Sequence, residues 1–170
     1  MKKKESINLE TSLIKSIDQS EIKGIVSDIG EIALDSITDD GVLKDIPVIG
    51  TLTKLYSVGA TIKGKIFEKK IIKFLVELEN ISVEKRKDFV SEISSDTQKS
   101  QKIGEHLLII LERIDDINKP TLIAKLFANY IEEQISYEMF QRLSSIIDKA
   151  FLPDLDKLKL YINSQPPYTS

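Results

Sequence analysis

Apolar residues recur at intervals of three and four along most of this chain, and this spacing restricts its fold more than any other feature. Residues at such intervals lie on one face of an α-helix, where they form a stripe that can be buried. Sustained alternation of apolar and polar residues, the pattern of a half-buried strand, is not visible. The spacing therefore predicts an all-α protein. The clearest stripes are Ile22, Ile25, Val26, Ile29, Ile32, Ala33 and Ile37; Phe67, Ile71, Phe74, Leu75 and Leu78; Leu122, Ile123, Leu126, Phe127, Tyr130 and Ile131; and Ile135, Met139, Phe140, Leu143, Ile146 and Ile147.

Short polar side chains mark the expected starts of several helices. Ser82 and Ser136 each precede a periodic segment, and a serine hydroxyl can accept a hydrogen bond from a free helix N–H. Asp45 and Asn118 each stand two residues before a proline, which is tolerated in the first helical turn because the N–H that it lacks has no partner there. These signals predict a single compact bundle of about six to eight helices with short connections.

The chain of 170 residues is long enough for one domain with a buried core. We expect a flexible N-terminal arm over residues 1–10, the helical bundle over residues 11–163 and a disordered tail over residues 164–170. The chain has no uninterrupted apolar run of about eighteen residues, so the sequence predicts no standard transmembrane helix.

The composition excludes several classes of function. The chain has no cysteine, which rules out disulfides and thiol catalysis and is typical of the reducing cytoplasm. For its single histidine, His106, Ile103 stands where the Glu-x-x-His motif of di-iron bundles needs a glutamate. The net charge of −3 argues against general nucleic-acid binding. We expect no catalytic residue, no metal, no cofactor and no small-molecule substrate.

Positive charge is concentrated in one segment. Residues 46–75 carry six lysines and one glutamate, whereas acidic residues outnumber basic ones on either side. One interpretation is a pair of core helices whose lysines face solvent, as charge clusters on helices usually do. The other is an amphipathic surface that meets anionic lipid or an acidic protein. The residues expected to bind are Lys63, Lys65, Lys69, Lys70 and Lys73.

The stretch GATIKGKI, at residues 59–66, is one residue away from a phosphate-binding loop. Ile66 stands where that loop needs Ser or Thr to bind Mg²⁺, and no apolar strand precedes it, so we do not expect nucleotide binding. On a helix through residues 47–67, Leu55 and Ile62 lie on a broad apolar face, and small residues form a second stripe that lets another backbone approach closely. The predicted packing positions are Gly50, Ser57, Ala60 and Gly64.

Three stretches stand out together: DGVLKDIPVIG at residues 40–50, IFEKKIIKFL at residues 66–75 and AFLPDLD at residues 150–156. The combination resembles small, uncharacterised, all-helical bacterial proteins with no assigned activity, over most of residues 40–160. The resemblance implies a bacterial, single-domain, helical protein. It carries over no functional residue.

We therefore expect a non-enzymatic helical protein that acts by contact through the basic, glycine-containing hairpin of residues 46–75. That hairpin would bind a second copy of the chain or a protein partner, and would dock on an anionic membrane. A cytoplasmic location, peripheral at the inner face of the membrane, and a role as a bacterial effector or defence-type protein fit this expectation. The alternative is a soluble adaptor or regulator that binds an acidic protein. A third hypothesis is an enzyme with a site built from scattered Ser, Tyr and carboxylate side chains.

Overall fold

The computed structural model describes residues 8–19, 22–24, 41–55, 61–155 and 157. Most of these residues lie in helices and none lies in a strand, so the predicted all-α bundle is confirmed. In chain order the elements are α1 (Leu9–Ile17), a short 3-10 helix (Gly41–Asp45), α2 (Pro47–Leu55), α3 (Ile62–Leu78), α4 (Val83–Ser94), α5 (Thr97–Arg113), α6 (Lys119–Ile131) and α7 (Tyr137–Lys149).

Hydrogen-bonded caps start α4 and α7 where the sequence predicts them. The hydroxyls of Ser82 and Ser136 accept hydrogen bonds from the N–H groups three residues further on, at 3.3 and 3.1 Å. Asn118 precedes α6 as predicted, but its side chain forms no capping hydrogen bond. Its Oδ1 instead accepts a hydrogen bond from Lys73 Nζ at 3.0 Å, so this residue joins α3 to the start of α6.

The first described helix begins earlier than the predicted end of the N-terminal arm. Asn8 Oδ1 accepts a hydrogen bond from the N–H of Thr11 at 3.0 Å, and this cap starts α1 at Leu9. The predicted boundary at residue 10 therefore falls inside a helix. Residues 1–7 and the predicted tail at 164–170 lie outside the described residues.

The core lies where α3 packs on α6, α6 on α7, and α1 on both α2 and α5. Ile71, Phe74, Leu75 and Leu78, predicted as one face of α3, are all buried. Phe127 of α6 lies at the centre of an aromatic cluster. Its ring centroid is within 5.8 Å of those of Phe74, Phe89, Tyr130 and Phe140.

Two glycines allow backbones to approach closely. A Cβ at Gly104 of α5 would lie 2.8 Å from the carbonyl oxygen of Glu10, so α1 packs directly on the α5 backbone. A Cβ at Gly50 of α2 would lie 2.5 Å from the carbonyl oxygen of Lys44 in the 3-10 helix. Gly50 is one of the predicted packing positions, whereas Gly104 is not.

The stripe of small residues is divided between two helices. Thr61 has an extended backbone (φ −69°, ψ 154°), and its hydroxyl accepts a hydrogen bond from the N–H of Gly64 at 3.2 Å, so it starts α3 as a new helix. The prediction of one helix through residues 47–67 is therefore wrong, because Thr61 is extended and α3 begins at Ile62. Ser57 and Ala60 lie outside the described residues.

Three buried cations stabilise the carboxyl ends of helices. Arg86, Lys70 and Lys119 donate hydrogen bonds to carbonyl oxygens at the ends of α1, α5 and α7, respectively. The last carbonyls of a helix have no intrahelical partner and carry partial negative charge, which is why a buried cation is stable there. These contacts join distant parts of the chain, since Arg86 is 69 residues from its partner Ile17.

Candidate functional site

The five lysines predicted to bind all lie on α3, but in different environments. Lys63 is exposed, whereas Lys65, Lys69 and Lys73 are half-buried and Lys70 is only 7% exposed. The structure therefore does not place the five ammonium groups on one exposed face. Of these five, Lys63 is the lysine most available to a partner.

Lys70 has a structural position. Its Nζ donates hydrogen bonds to the carbonyl oxygens of Glu112, at 3.0 Å, and Ile114, at 2.6 Å, at the end of α5. Burial lowers the pKa of Lys70, and the carboxylates of Asp115 and Glu112 oppose this shift. Lys70 therefore joins α3 to α5, which corrects the expectation that it contributes to an exposed binding surface.

A groove of about 570 Å³ lies between the start of α1, the first turns of α3 and the second half of α5. We call it the end groove. Half of its lining residues are apolar, and a lysine of α3 lies towards each end. The apolar lining residues are Leu9, Ile66, Phe67, Leu108 and Ile109, and the others are Thr61, Lys63, Gly64, Lys70 and Glu112.

Pairing of α1 with α2 brings the end of α2 to the same region. Ser16 Oγ accepts a hydrogen bond from the N–H of Val48 at 3.0 Å, and Ser12 Oγ lies 2.8 Å from Thr51 Oγ1. The two helices therefore run antiparallel. One further turn leads to Leu55, so this part of α2 runs towards the start of α1, whose first residue, Leu9, lines the end groove.

Three aliphatic side chains are exposed at this end of the bundle. The exposed fraction is 53% for Leu55, 75% for Ile62 and 45% for Ile109. Lys54 and Lys63, their neighbours in sequence, are also exposed. We call these five residues the end face. Large exposed apolar side chains grouped beside charge are typical of a surface that contacts another molecule.

The start of α3 gives the end face a positive potential. A helix N-terminus carries about half of an elementary positive charge, and an acidic residue in the first turn commonly compensates it. The first turn of α3 contains no acidic residue, and Lys63 and Lys65 stand there instead. The other end of the groove is balanced, because Glu112 and the α5 carbonyls lie beside Lys70.

Two apolar residues of the end face, Leu55 and Ile62, were predicted to share the apolar face of one helix through residues 47–67. That face is interrupted by a break before α3, because Thr61 is extended and Ile62 is the first residue of α3. A threonine able to cap a helix, Thr61, was the available sequence signal for this break.

A second cleft, of about 400 Å³, lies beside α4 and the end of α6. Its lysines are engaged in ion pairs: Lys85 lies 2.6 Å from Glu132, and Lys99 lies 2.9 Å from Glu92. Exposed pairs of this kind contribute little to stability. Because its cations are paired with carboxylates, this cleft differs from the start of α3, where the first turn contains no acidic residue.

His106 is a packing residue of α5. Its Nε2 lies 3.2 Å from the hydroxyl of Ser144, which donates its own hydrogen to the carbonyl oxygen of Gln141 at 3.0 Å. Nε2–H is therefore the donor to Ser144, and the ring packs edge-on against Phe140. Ser144 is fully buried, so this hydroxyl cannot reach a substrate as a nucleophile.

Acidification is expected to destabilise the protein through His106. Burial lowers the pKa of His106 below its usual value of 6.5, so the unfolded chain takes up this proton first as the pH falls. The stability is complete above pH 6.5 and falls below it, by at most about 1.4 kcal/mol per pH unit for one proton. Urea unfolding at about pH 7.5 and 5.5 should show a larger loss for the wild type than for His106→Gln. Equal losses would show that His106 does not cause the destabilisation, because the other titrating groups are common to both proteins.

Among the described residues, no group of three or more His, Asp or Glu side chains could hold a metal ion. Within the same part of the chain, no helix is both long enough and apolar enough to cross a bilayer. Comparisons of the chain with protein-family models, with curated proteins and with solved structures find no match.

Proposed function

We propose that this protein acts by contact rather than by catalysis, and that its end face docks on an anionic membrane surface. The observation that supports the proposal is the grouping of three exposed aliphatic side chains and two exposed lysines at one end of the bundle. Aliphatic side chains can enter the interfacial region of a bilayer while lysines remain at headgroup level. The docking is peripheral, on the inner leaflet, where anionic lipids create a negative surface potential.

The expected binding is reversible and sensitive to salt. Complete burial of one Leu or Ile side chain contributes about 1.5–3 kcal/mol, and each side chain of the end face is already partly buried, so it contributes a fraction of that. Each lysine near an anionic surface adds about 1 kcal/mol. Salt screens the lysines and leaves the aliphatic contribution, so high salt should weaken the binding.

Vesicle flotation tests the proposal. The protein should float with vesicles that contain anionic lipid, and less so at high salt or with neutral lipid alone. Replacing Lys54 and Lys63 together by glutamine should weaken partitioning about thirtyfold, because about 1 kcal/mol per lysine is lost. Ile62→Ser should weaken it about fivefold through the lost apolar contact.

Matched variants elsewhere on the bundle distinguish binding by the end face from a general effect of net charge or of exposed apolar side chains. Lys102 and Lys125 are exposed on α5 and α6, and replacing both by glutamine removes the same two positive charges. Ile146 of α7 is 58% exposed, so Ile146→Ser matches Ile62→Ser. Both controls should float like the wild type. The proposal would be overturned if the wild type did not float, or if the control variants lost flotation as much as the end-face variants. Absence of flotation would favour an acidic protein as the partner.

A further inference from the structure

The side of α3 that lines the end groove has lysines at both ends and apolar side chains between them. Lys63, Ile66, Phe67 and Lys70 are spaced by three, one and three residues, so all four lie on one side of the helix. Lys63 and Lys70 are two turns apart, which is about 10 Å along the axis. The facing walls are formed by Leu9, Leu108 and Ile109, together with Glu112 near Lys70.

We propose that the end groove binds one single-chain anionic amphiphile, a fatty acid or a lysophospholipid, with the head-proximal part of its acyl chain along the groove and its charged head at the Lys63 end. The inference deepens the proposed function and rests on the same end face, because a membrane docked there is the source of such a ligand. The groove volume of about 570 Å³ lies within the range of small-molecule sites, about 300–1,000 Å³.

Charge complementarity determines the direction of the ligand. At one end, Lys70 is already hydrogen-bonded to two carbonyl oxygens, and the Glu112 carboxylate beside it would repel an anion. At the other end, Lys63 is exposed and adds its charge to the positive N-terminus of α3. An anionic head is therefore stabilised at Lys63 and not at Lys70, while the apolar middle of the groove contacts the chain.

Gly64 provides a way to fill the groove without disturbing the core. It lines the groove, and among the described residues a Cβ there would meet only Thr61 Oγ1, at an ordinary contact distance of 3.5 Å. A leucine at this position can therefore occupy space that the acyl chain would use. Gly64→Ala adds one methyl group and serves as the matched control.

Fluorescence titration with cis-parinaric acid below its micelle-forming concentration, without vesicles, tests the inference. We expect saturable binding of one molecule per chain, competition by palmitate, and weaker competition by an uncharged alcohol of the same length. Gly64→Leu should weaken binding more than tenfold and Gly64→Ala should leave it nearly unchanged. Lys63→Gln should weaken it about fivefold, the loss of about 1 kcal/mol, while Lys125→Gln should not.

The outcome of this titration can be distinguished from the outcome of the vesicle flotation that tests the proposed function. Gly64→Leu leaves the end face intact and should still float with anionic vesicles. A wild type that floats but does not bind the fatty acid would overturn the inference and leave membrane docking in place. Binding that survives in Gly64→Leu, with the variant folded by circular dichroism, would also overturn it. Fatty-acid binding without flotation would support the site in the end groove and contradict membrane docking by the end face.

Discussion

Replacing Arg86 by methionine is expected to lower the free energy of unfolding by about 3 kcal/mol. Arg86 is buried in α4, and its Nη1 donates hydrogen bonds to the carbonyl oxygens of Ile17, at 2.7 Å, and Gln19, at 2.6 Å. Each hydrogen bond from a charged donor contributes about 1.5–3 kcal/mol, and a methionine of similar length leaves both carbonyls without this donor. Chemical denaturation in lipid-free buffer measures the difference.

Lys85 provides the control for Arg86 because it is the preceding residue of α4 and its side chain is 56% exposed. Lys85→Met removes a surface ion pair with Glu132 and should change the stability by less than about 1 kcal/mol. Similar losses in Lys85→Met and Arg86→Met would show that the carbonyl contacts at the end of α1 do not stabilise the bundle.

Gly104→Leu is expected to destabilise the protein by about 3 kcal/mol or more. A Cβ at this position would lie 2.8 Å from the carbonyl oxygen of Glu10 and 2.9 Å from its Cβ. Because both obstacles belong to the adjacent helix, α1 must move away from α5, and the buried contacts of Leu13 and Ile17 are disturbed. The gain in helix propensity over glycine, at most about 1 kcal/mol, is too small to offset this.

The same substitution at Gly64 is the internal comparison. Gly64→Leu has room at the groove and should change the free energy of unfolding by less than about 1 kcal/mol, in either direction. Urea unfolding of both variants at one pH gives the comparison. If Gly104→Leu were as stable as Gly64→Leu, α1 would not rest on the α5 backbone as the structure has it.

Three glycines show where sequence reasoning about packing succeeds and fails. Gly50 and Gly64 were selected because small residues recur between them at helical spacing, but α3 begins anew at Ile62 and the recurrence does not correspond to one face. Close approach does occur at Gly50, to the 3-10 helix before α2, but not at Gly64. Gly104, where α1 rests on the α5 backbone, stands alone in α5 without a periodic partner. Its only sequence signal was the cost, about 1 kcal/mol, of a glycine inside a strong helical segment.

The lysines of α3 show which part of the candidate site could be predicted from the sequence and which part could not. The basic segment was visible in the sequence, and Lys63, its exposed lysine in α3, does lie at the end face. Lys70 stands seven residues further along the same side of the helix, yet it is buried. The cause lies 42 and 44 residues away in sequence, where the end of α5 presents the carbonyls of Glu112 and Ile114.

The sequence by itself determined the helical class, most of the core face of α3 and the caps at Ser82 and Ser136. These features depend on residues three or four positions apart, and their chemistry is local. Only the tertiary structure decided which cations are buried, which glycine touches another backbone and which apolar residues remain exposed at the end face. Those outcomes depend on what a distant helix places opposite each side chain, and no local spacing specifies that.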